Sequence, residues 1–191
     1  MTTPIKAQIE TDEIALRDGA HFILRSVRTD DESRLRDMFA RASLEDIHFR
    51  CFGAMHDFAA DMARRLAHLD PTSEFALAAS TPPDRQPEEI FGVAHLSQNP
   101  EAMDTAEFDI MVRSDFKQRG LGYRLMTELL QSARQRGLKA ITGNILRDNY
   151  AMLQMAHELG FKTDFVDGDA VRVKVSLTEN SPFAEAAPQA T

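Results

Sequence analysis

The alternation of apolar and polar positions divides the chain into strands and helices. Period-two alternation between Ile14 and Arg28 is interrupted at Asp18-Gly19, a strong turn signal, and so predicts a β-hairpin. Apolar residues then recur at helical spacing after Thr29 and again from Asp57 to Leu69, which predicts two helices. Ser43 could cap a short continuation of the first helix through Ile47.

The second half of the chain alternates strand and helix patterns and separates them with turn residues. Its longest periodic segment has one apolar face and ends at Gly137, as helices often do. In order, we predict strands at Glu74–Ala79, Ile90–Leu96 and Thr105–Val112, a helix at Gln118–Gly137, a strand at Lys139–Gly143, a helix from about Asn149 to Leu159, and a hairpin made by Phe161–Val166 and Val171–Leu177.

This order of elements predicts an α/β (α+β) fold with a mixed, mostly antiparallel sheet of about seven strands flanked by four helices. The strand–helix–strand unit around Gly120 is expected to be a right-handed parallel crossover. We assign the folded domain to residues 13–177. Residues 1–12 are expected to be flexible, and residues 178–191, rich in proline and alanine, are expected to be disordered.

Composition narrows the functional classes. The chain has 191 residues and a formal net charge of −8, which disfavours nucleic-acid binding and weakly favours a cationic substrate. No apolar run approaches the ~18 residues needed to span a bilayer, and no signal peptide is visible, so we expect no membrane association. Cys51 is the single cysteine, which excludes an internal disulfide; a cytoplasmic location is the default expectation.

The segment from Lys117 to Gly122 has the features of a phosphate-binding loop. It lies between a predicted strand and the strongest predicted helix, and a helix start offers free backbone N–H groups and positive potential. Glycine allows a ligand to approach the backbone closely. The segment lacks the Gly-Lys-Ser/Thr of a nucleotide P-loop and the third glycine of the dinucleotide fingerprint. Taken alone, the two glycines could also merely start and pack a helix.

These residues lead to a family resemblance. Val112-Arg113-Ser114-Asp115 followed by KQRGLGYRLM resembles motif A of the GNAT N-acetyltransferases, whose pattern is Gln/Arg-x-x-Gly-x-Gly/Ala, with Lys117 replacing the usual Gln or Arg. Asn149 and the later Gly160-Phe161 resemble the end of motif B. Over about residues 13–177, LRDGAHFILRSVRTDDESRLRDMF, HFRCF and AEFDIMVRSDFKQRGLGYRLM resemble the GNAT domain of bacterial Pat-type protein lysine acetyltransferases.

The resemblance implies that acetyl-CoA is the acyl donor and binds in a V-shaped opening between two central strands. Backbone groups of the strand would contact the pantetheine arm, and one N–H would polarise the thioester carbonyl. N–H groups at the start of the next helix would hold the pyrophosphate. The implied cofactor-binding residues are Ile110, Met111, Val112, Lys117, Gln118, Arg119, Gly120, Leu121, Gly122, Tyr123 and Asn149, with no metal.

Glu107 is the candidate general base, because an amine attacks a thioester only as the free base and the Pat-type pattern has a glutamate here. By alternation Glu107, Asp109 and Met111 share one face of the strand, unless the bulge that the fold implies near Ile110 breaks this parity. Asp109 is expected to be a solvated strand carboxylate. Many GNAT enzymes place a tyrosine as general acid four residues before the motif B glycine, where this chain has Ala156.

The acceptor is expected to be an amine, with a protein lysine preferred because of the Pat-type resemblance. A small-molecule amine or antibiotic is an alternative acceptor. A third reading is a catalytically silent acyl-CoA-binding module, which the missing tyrosine favours. The histidines show no His-x-x-x-His spacing. Cys51 and the methionines at positions 103, 111, 126, 152 and 155 are expected to pack in the core. The sequence does not decide between a monomer and a homodimer.

Overall fold

A computed structural model of the chain describes residues 12–51 and 57–178, apart from the side chains of residues 49–51. The predicted packing of Cys51 lies outside this description, as do most of the two predicted terminal segments, and these stay predictions. Within the described ranges, no helix is long and apolar enough to cross a membrane.

Among the described residues, eight strands form one sheet; each lies in a segment where a strand was predicted, although the predicted total was about seven. Both predicted hairpins form, as β1–β2 around the turn at Gly19 and as β7–β8 around a turn at Gly168. The strands are β1 (Asp12–Ala15), β2 (His21–Ser26), β3 (Glu74–Ser80), β4 (Ile90–Asn99), β5 (Ala102–Val112), β6 (Ala140–Leu146), β7 (Lys162–Asp167) and β8 (Ala170–Ser176).

Five α-helices occur in the described residues, one more than predicted. The additional one is the segment after Ser43, which forms a separate helix instead of prolonging the first. Its start is capped by Ser43, whose Oγ accepts a hydrogen bond from the Asp46 N–H at 3.1 Å. The helices are α1 (Glu32–Ala40), α2 (Leu44–Cys51), α3 (Phe58–Ala67), α4 (Leu121–Gln135) and α5 (Tyr150–Glu158).

The strand order is β1-β2-β3-β4-β5-β6-β8-β7, and every neighbouring pair is antiparallel except β5 and β6. The predicted parallel strand–helix–strand unit is therefore β5-α4-β6. The two faces of the sheet carry separate apolar cores. Helices α4 and α5 cover one face, and α1 and α3 cover the other. This confirms the mixed, mostly antiparallel α/β fold.

A buried ion cluster joins β2 to the start of α1. Arg25, which is 3% exposed, donates two hydrogen bonds to the fully buried Asp31, at 2.7 and 2.8 Å, and two to Glu88, at 2.7 and 3.2 Å. Asp31 also accepts the Arg28 N–H at 2.8 Å. Burial by itself would raise the pKa of Asp31, but the hydrogen bonds from Arg25 and Arg28 outweigh it and hold the pKa below its usual range. The cluster therefore stabilises the fold only while Asp31 is ionised.

Candidate active site

A fork opens in the centre of the sheet between β5 and β6. The two strands pair over only three positions, and the last pair joins Glu107 to Thr142. Beyond it, β5 continues to Val112 along β4, while β6 continues to Leu146 along β8, so the two strands separate. Among the residues that the structure describes, no strand pairs with the fork-facing edge of β5 past Glu107. Its backbone N–H and C=O groups can therefore bind an extended ligand arm.

The narrow end of the fork is filled by aromatic packing on the α4–α5 face of the sheet. The ring of Phe108 lies against Gly143 of β6, where any added Cβ would overlap three of its ring atoms. Phe108 also packs edge-on against Phe161, with 5.2 Å between ring centroids. Gly143 is thus required for close approach rather than for a special backbone conformation, and the fork ends in a rigid wall.

The predicted phosphate loop has a backbone shaped to bind an anion. Gln118 has φ +58° and Gly120 has φ +91°. Two of the three residues just before α4 (residues 118–120) therefore adopt the left-handed conformation. Within the described part of the chain, the backbone N–H groups of residues 118–123 meet no protein acceptor, and the first turn of α4 has no acidic residue or capping side chain. Such a concave set of free N–H groups at a helix start suits a diphosphate.

An aromatic and cationic cluster fixes the loop below these N–H groups. The guanidinium carbons of Arg113 and Arg119 both lie 4.7 Å from the centre of the Phe116 ring. Arg113 is 6% exposed and also donates to Asp115 at 2.7 and 3.0 Å. Phe116 in turn contacts Phe91 of β4, with 4.5 Å between ring centroids. The start of α4 is therefore tied to the sheet before any ligand binds.

The two cationic side chains of the loop are both matched by carboxylates. Lys117 contacts Asp46 of α2, a buried residue that also accepts a hydrogen bond from Ser114. Burial lowers the pKa of Lys117. Arg119 donates to Asp18 in the β1–β2 turn at 2.5 Å. Because both cationic side chains are paired with carboxylates, the backbone N–H groups are the stronger feature of the candidate anion site.

Glu107 lies at the point where the fork begins. Its side chain is exposed, and its Oε1 accepts a hydrogen bond from Nδ2 of Asn144 on β6 at 2.7 Å. The predicted bulge near Ile110 is wrong, since β4 and β5 keep one continuous register from Ala106 to Val112. The side chains of β5 therefore alternate regularly between the two faces of the sheet. Phe108, Ile110 and Val112 belong to the α4–α5 core, and Met111 belongs to the α1–α3 core. Glu107 and Asp109 share the latter face.

Asn149 begins α5 on the other side of the fork. Its Oδ1 accepts the Met152 N–H at 3.2 Å, so it is an N-cap and keeps its amide NH₂ for a ligand. Ala156 is 1% exposed and packs in the core. Tyr123 and Tyr150 are exposed at the starts of α4 and α5. Met103, which was expected in the core, is 56% exposed because it lies at the start of β5 beyond both cores.

One polar group near Glu107 was not singled out from the sequence. His95 of β4 is 2% exposed and pairs across the ladder with Asp109. Its Nε2 lies 3.3 Å from Glu74 Oε1 and its Nδ1 lies 3.7 Å from Asp109 Oδ2. The three partners come from three different strands, so no local spacing pattern indicates the cluster.

Comparisons with known proteins agree with this geometry. The family model described as "Acetyltransferase (GNAT) family" matches residues 41–161. An acetyltransferase of Pseudomonas aeruginosa is 26% identical over 147 residues, which are 77% of this chain and 78% of that protein.

Solved structures share the fold. The GNAT domain of S. lividans PAT superposes with a TM-score of 0.77 at 22% identity, covering 87% of this chain and 96% of that one. The ribosomal-protein-S5-alanine acetyltransferase of Vibrio fischeri gives a TM-score of 0.71 at 14% identity, with 91% and 100% covered. A cAMP-binding acyltransferase from Mycobacterium smegmatis gives 0.60 at 22% identity, and this chain spans 49% of its length. Because the family model matches more than half of the chain, the chain belongs to the GNAT family of acetyltransferases.

Proposed function

We propose that this protein transfers an acetyl group from acetyl-CoA to an amine, with Glu107 as general base and a protein lysine as the preferred acceptor. The observation that carries the proposal is the placement of Glu107. It occupies the last paired position of the fork, on a strand that leads directly into the loop of free N–H groups. A donor bound to the loop and lying along the fork would bring its reactive end toward this carboxylate.

The donor site would use backbone groups first. The N–H groups of Gln118 through Tyr123 would hold the pyrophosphate, with Lys117 and Arg119 adding charge at its rim. Backbone groups of Ile110, Met111 and Val112 would line the pantetheine arm along the unpaired edge of β5. The amide of Asn149 would contact the coenzyme from α5. When bound, the donor supplies an activated thioester carbonyl that a strand N–H can polarise.

Glu107 would remove the proton that the attacking amine must lose. A lysine amine is mostly protonated at pH 7, so a carboxylate that can accept a proton from the attacking nitrogen would assist the transfer. The hydrogen bond from Asn144 at 2.7 Å fixes one oxygen of Glu107 and leaves the other for the amine. Because Ala156 supplies no acid at the usual tyrosine position, the coenzyme thiol would leave as the thiolate.

The acceptor assignment rests on charge and on relatives. The Glu107 face carries carboxylates, the chain has a net charge of −8, and a lysine side chain is a cation. The GNAT domain of S. lividans PAT is similar in fold. A small amine fits the same chemistry, and the missing tyrosine leaves a silent acyl-CoA-binding module as the alternative function.

Thiol release from acetyl-CoA tests the proposal. Purified protein would be incubated with acetyl-CoA and a panel of lysine peptides, polyamines and aminoglycosides, while calorimetry measures acetyl-CoA binding. We expect micromolar to submillimolar binding and amine-dependent release that is highest with lysine peptides. Thiol release with small amines but not with lysine peptides would show that the acceptor is a small amine. Tight binding without release across the panel would contradict the enzymatic proposal and support the silent module.

A further inference from the structure

One half of the sheet presents polar side chains on the Glu107 face. The α1–α3 core covers this face over β3, β4 and β5, and its buried members include no residue of β6, β7 or β8. Asn144 of β6 lies on the Glu107 face, since the two side chains share a hydrogen bond. Asn144, Lys174 of β8 and Lys162 of β7 are all exposed. This half of the face is therefore accessible to a partner.

The register of the strands places two lysines in line with Glu107. Glu107 pairs with Thr142 of β6, which pairs with Lys174 of β8. Lys174 in turn pairs with Lys162 of β7. Directly paired residues point to the same face of a sheet. With about 4.8 Å between strands, the Cα atoms of the two lysines lie roughly 10 and 14 Å from that of Glu107 along this row.

A neighbouring row adds an arginine and an aromatic ring. Arg172 of β8 pairs with Phe165 of β7, and its guanidinium carbon lies 5.7 Å from the centre of the Phe165 ring. Phe165 is 49% exposed, and Asp167 bounds the row toward the hairpin turn. Within the part of the chain that the structure describes, none of the cations Lys162, Arg172 and Lys174 forms an ion pair. These three residues make a basic patch on a chain whose net charge is −8.

The basic patch is separate from the candidate donor site. β5 continues from Glu107 to Val112 before the phosphate loop begins, a distance of about 17 Å. The free N–H groups of residues 118–123 lie at that far end, whereas Lys174 and Lys162 lie level with Glu107. Phosphates held by the loop would stay away from the two lysines. The patch is therefore placed to meet the acceptor rather than the donor.

We propose that the basic patch binds acidic residues of the acceptor protein, so that the preferred acceptor is a lysine with carboxylates three or four positions away. The inference rests on the proposed function, because Glu107 fixes where the acceptor nitrogen lies. An extended segment along the row advances about 3.3 Å per residue, so a span of roughly 10 to 14 Å corresponds to about three or four residues. Exposed ion pairs are individually weak, so three cations together give selectivity rather than tight binding.

Charge reversal at one lysine and at a matched remote position isolates the patch. Lys174→Glu replaces its central cation with a carboxylate at an exposed position, where the fold should persist. Arg64→Glu makes the same change in net charge at an exposed position of α3, over the other half of the face. Thermal unfolding of both variants checks that they fold.

The experiment uses three peptides that have one central lysine and carry glutamate, glutamine or arginine at the third and fourth positions on both sides. The kcat/KM of each is measured with saturating acetyl-CoA, at low and at high salt. We expect wild type and Arg64→Glu to prefer the glutamate peptide over the glutamine peptide about fivefold or more. Lys174→Glu should lose this preference and gain activity toward the arginine peptide. High salt should shrink the preference, because exposed charges are screened.

Binding of the same peptides with acetyllysine at the centre, measured by fluorescence anisotropy, needs no turnover and separates the two proposals. If the glutamate peptide binds wild type more tightly than it binds Lys174→Glu but no lysine peptide is acetylated, the basic patch stands and the proposed function fails. If all three lysine peptides are acetylated and bound equally, or if Lys174→Glu keeps the wild-type preference, the inference is overturned and the proposed function stands. Tighter binding of a single-stranded oligothymidylate through Lys174 would also overturn it, because the patch would then recognise nucleic-acid phosphates.

Discussion

Gly120 and Gly137 offer a matched test of the phosphate loop, because they lie at opposite ends of α4 and have nearly the same backbone. Gly120 has φ +91° and Gly137 has φ +79°, and a Cβ added at either would meet nothing within 4 Å. Alanine at either position should therefore lower the free energy of unfolding by about 1–2 kcal/mol, the cost of a left-handed L-residue. The two variants should be equally destabilised.

Their effects on acetyl-CoA binding should differ. At Gly120 the added Cβ stands beside the free N–H groups of residues 118–123 and keeps phosphate oxygens at a distance. Loss of one hydrogen bond to a charged group costs about 1.5–3 kcal/mol, which corresponds to a roughly 10- to 100-fold rise in Kd. Gly137 lies at the C-terminal end of α4 and should leave Kd unchanged.

Isothermal titration calorimetry measures the Kd of acetyl-CoA, and urea unfolding measures the free energy of unfolding. Both would be applied to wild type, Gly120→Ala and Gly137→Ala. The reasoning predicts equal losses of stability and a Kd that rises only in Gly120→Ala. If Gly120→Ala binds acetyl-CoA within twofold of Gly137→Ala, the N–H groups at the start of α4 do not hold the pyrophosphate, and the assignment of the loop is refuted.

Two further predictions concern the framework around the site. Asp31→Asn should lower stability at pH 7 by about 3–5 kcal/mol, because it leaves buried Arg25 without its main counter-charge. Since the folded-state pKa of Asp31 is lowered, its stabilisation exists above the unfolded pKa near 4 and disappears as pH falls through the folded value. The gap between wild type and variant should therefore shrink in urea melts below about pH 4, and a pH-independent gap would contradict this. Gly143→Ala should cost about 1–3 kcal/mol through overlap with Phe108, and Phe108→Leu should relieve part of that cost in a double-mutant cycle; strictly additive losses would refute the overlap.

Much of the fold could be predicted because its signals are local. Asp18-Gly19 and the run ending at Gly137 combine periodicity with turn residues, and both appear as expected. The separate helix α2 was missed because Ser43 follows the first helix too closely for periodicity to show a break. Asp31, by contrast, carries no special signal in the sequence. Its burial against Arg25 depends on how β2 meets α1, which no local pattern contains.

The same distinction between local signals and long-range contacts applies to the candidate site. The loop and Glu107 could be put forward from the sequence because they lie in one contiguous motif. Asp18 and Asp46, which match the loop cations, come from distant parts of the chain and were invisible to a motif search. The contact of His95 with Asp109 depends on the register of β4 against β5. Asp109 was therefore expected to be merely solvated, although it pairs with a buried ring.

The most direct test of the central claim is the turnover of Glu107→Gln, with Glu101→Gln at the exposed β4–β5 turn as the matched control. With a lysine peptide and saturating acetyl-CoA, we predict that Glu107→Gln lowers kcat about 100-fold or more, leaves the acetyl-CoA Kd near the wild-type value, and that the control retains full activity. Near-wild-type turnover of Glu107→Gln would contradict the account, because the carboxylate at the start of the fork would then not be the general base.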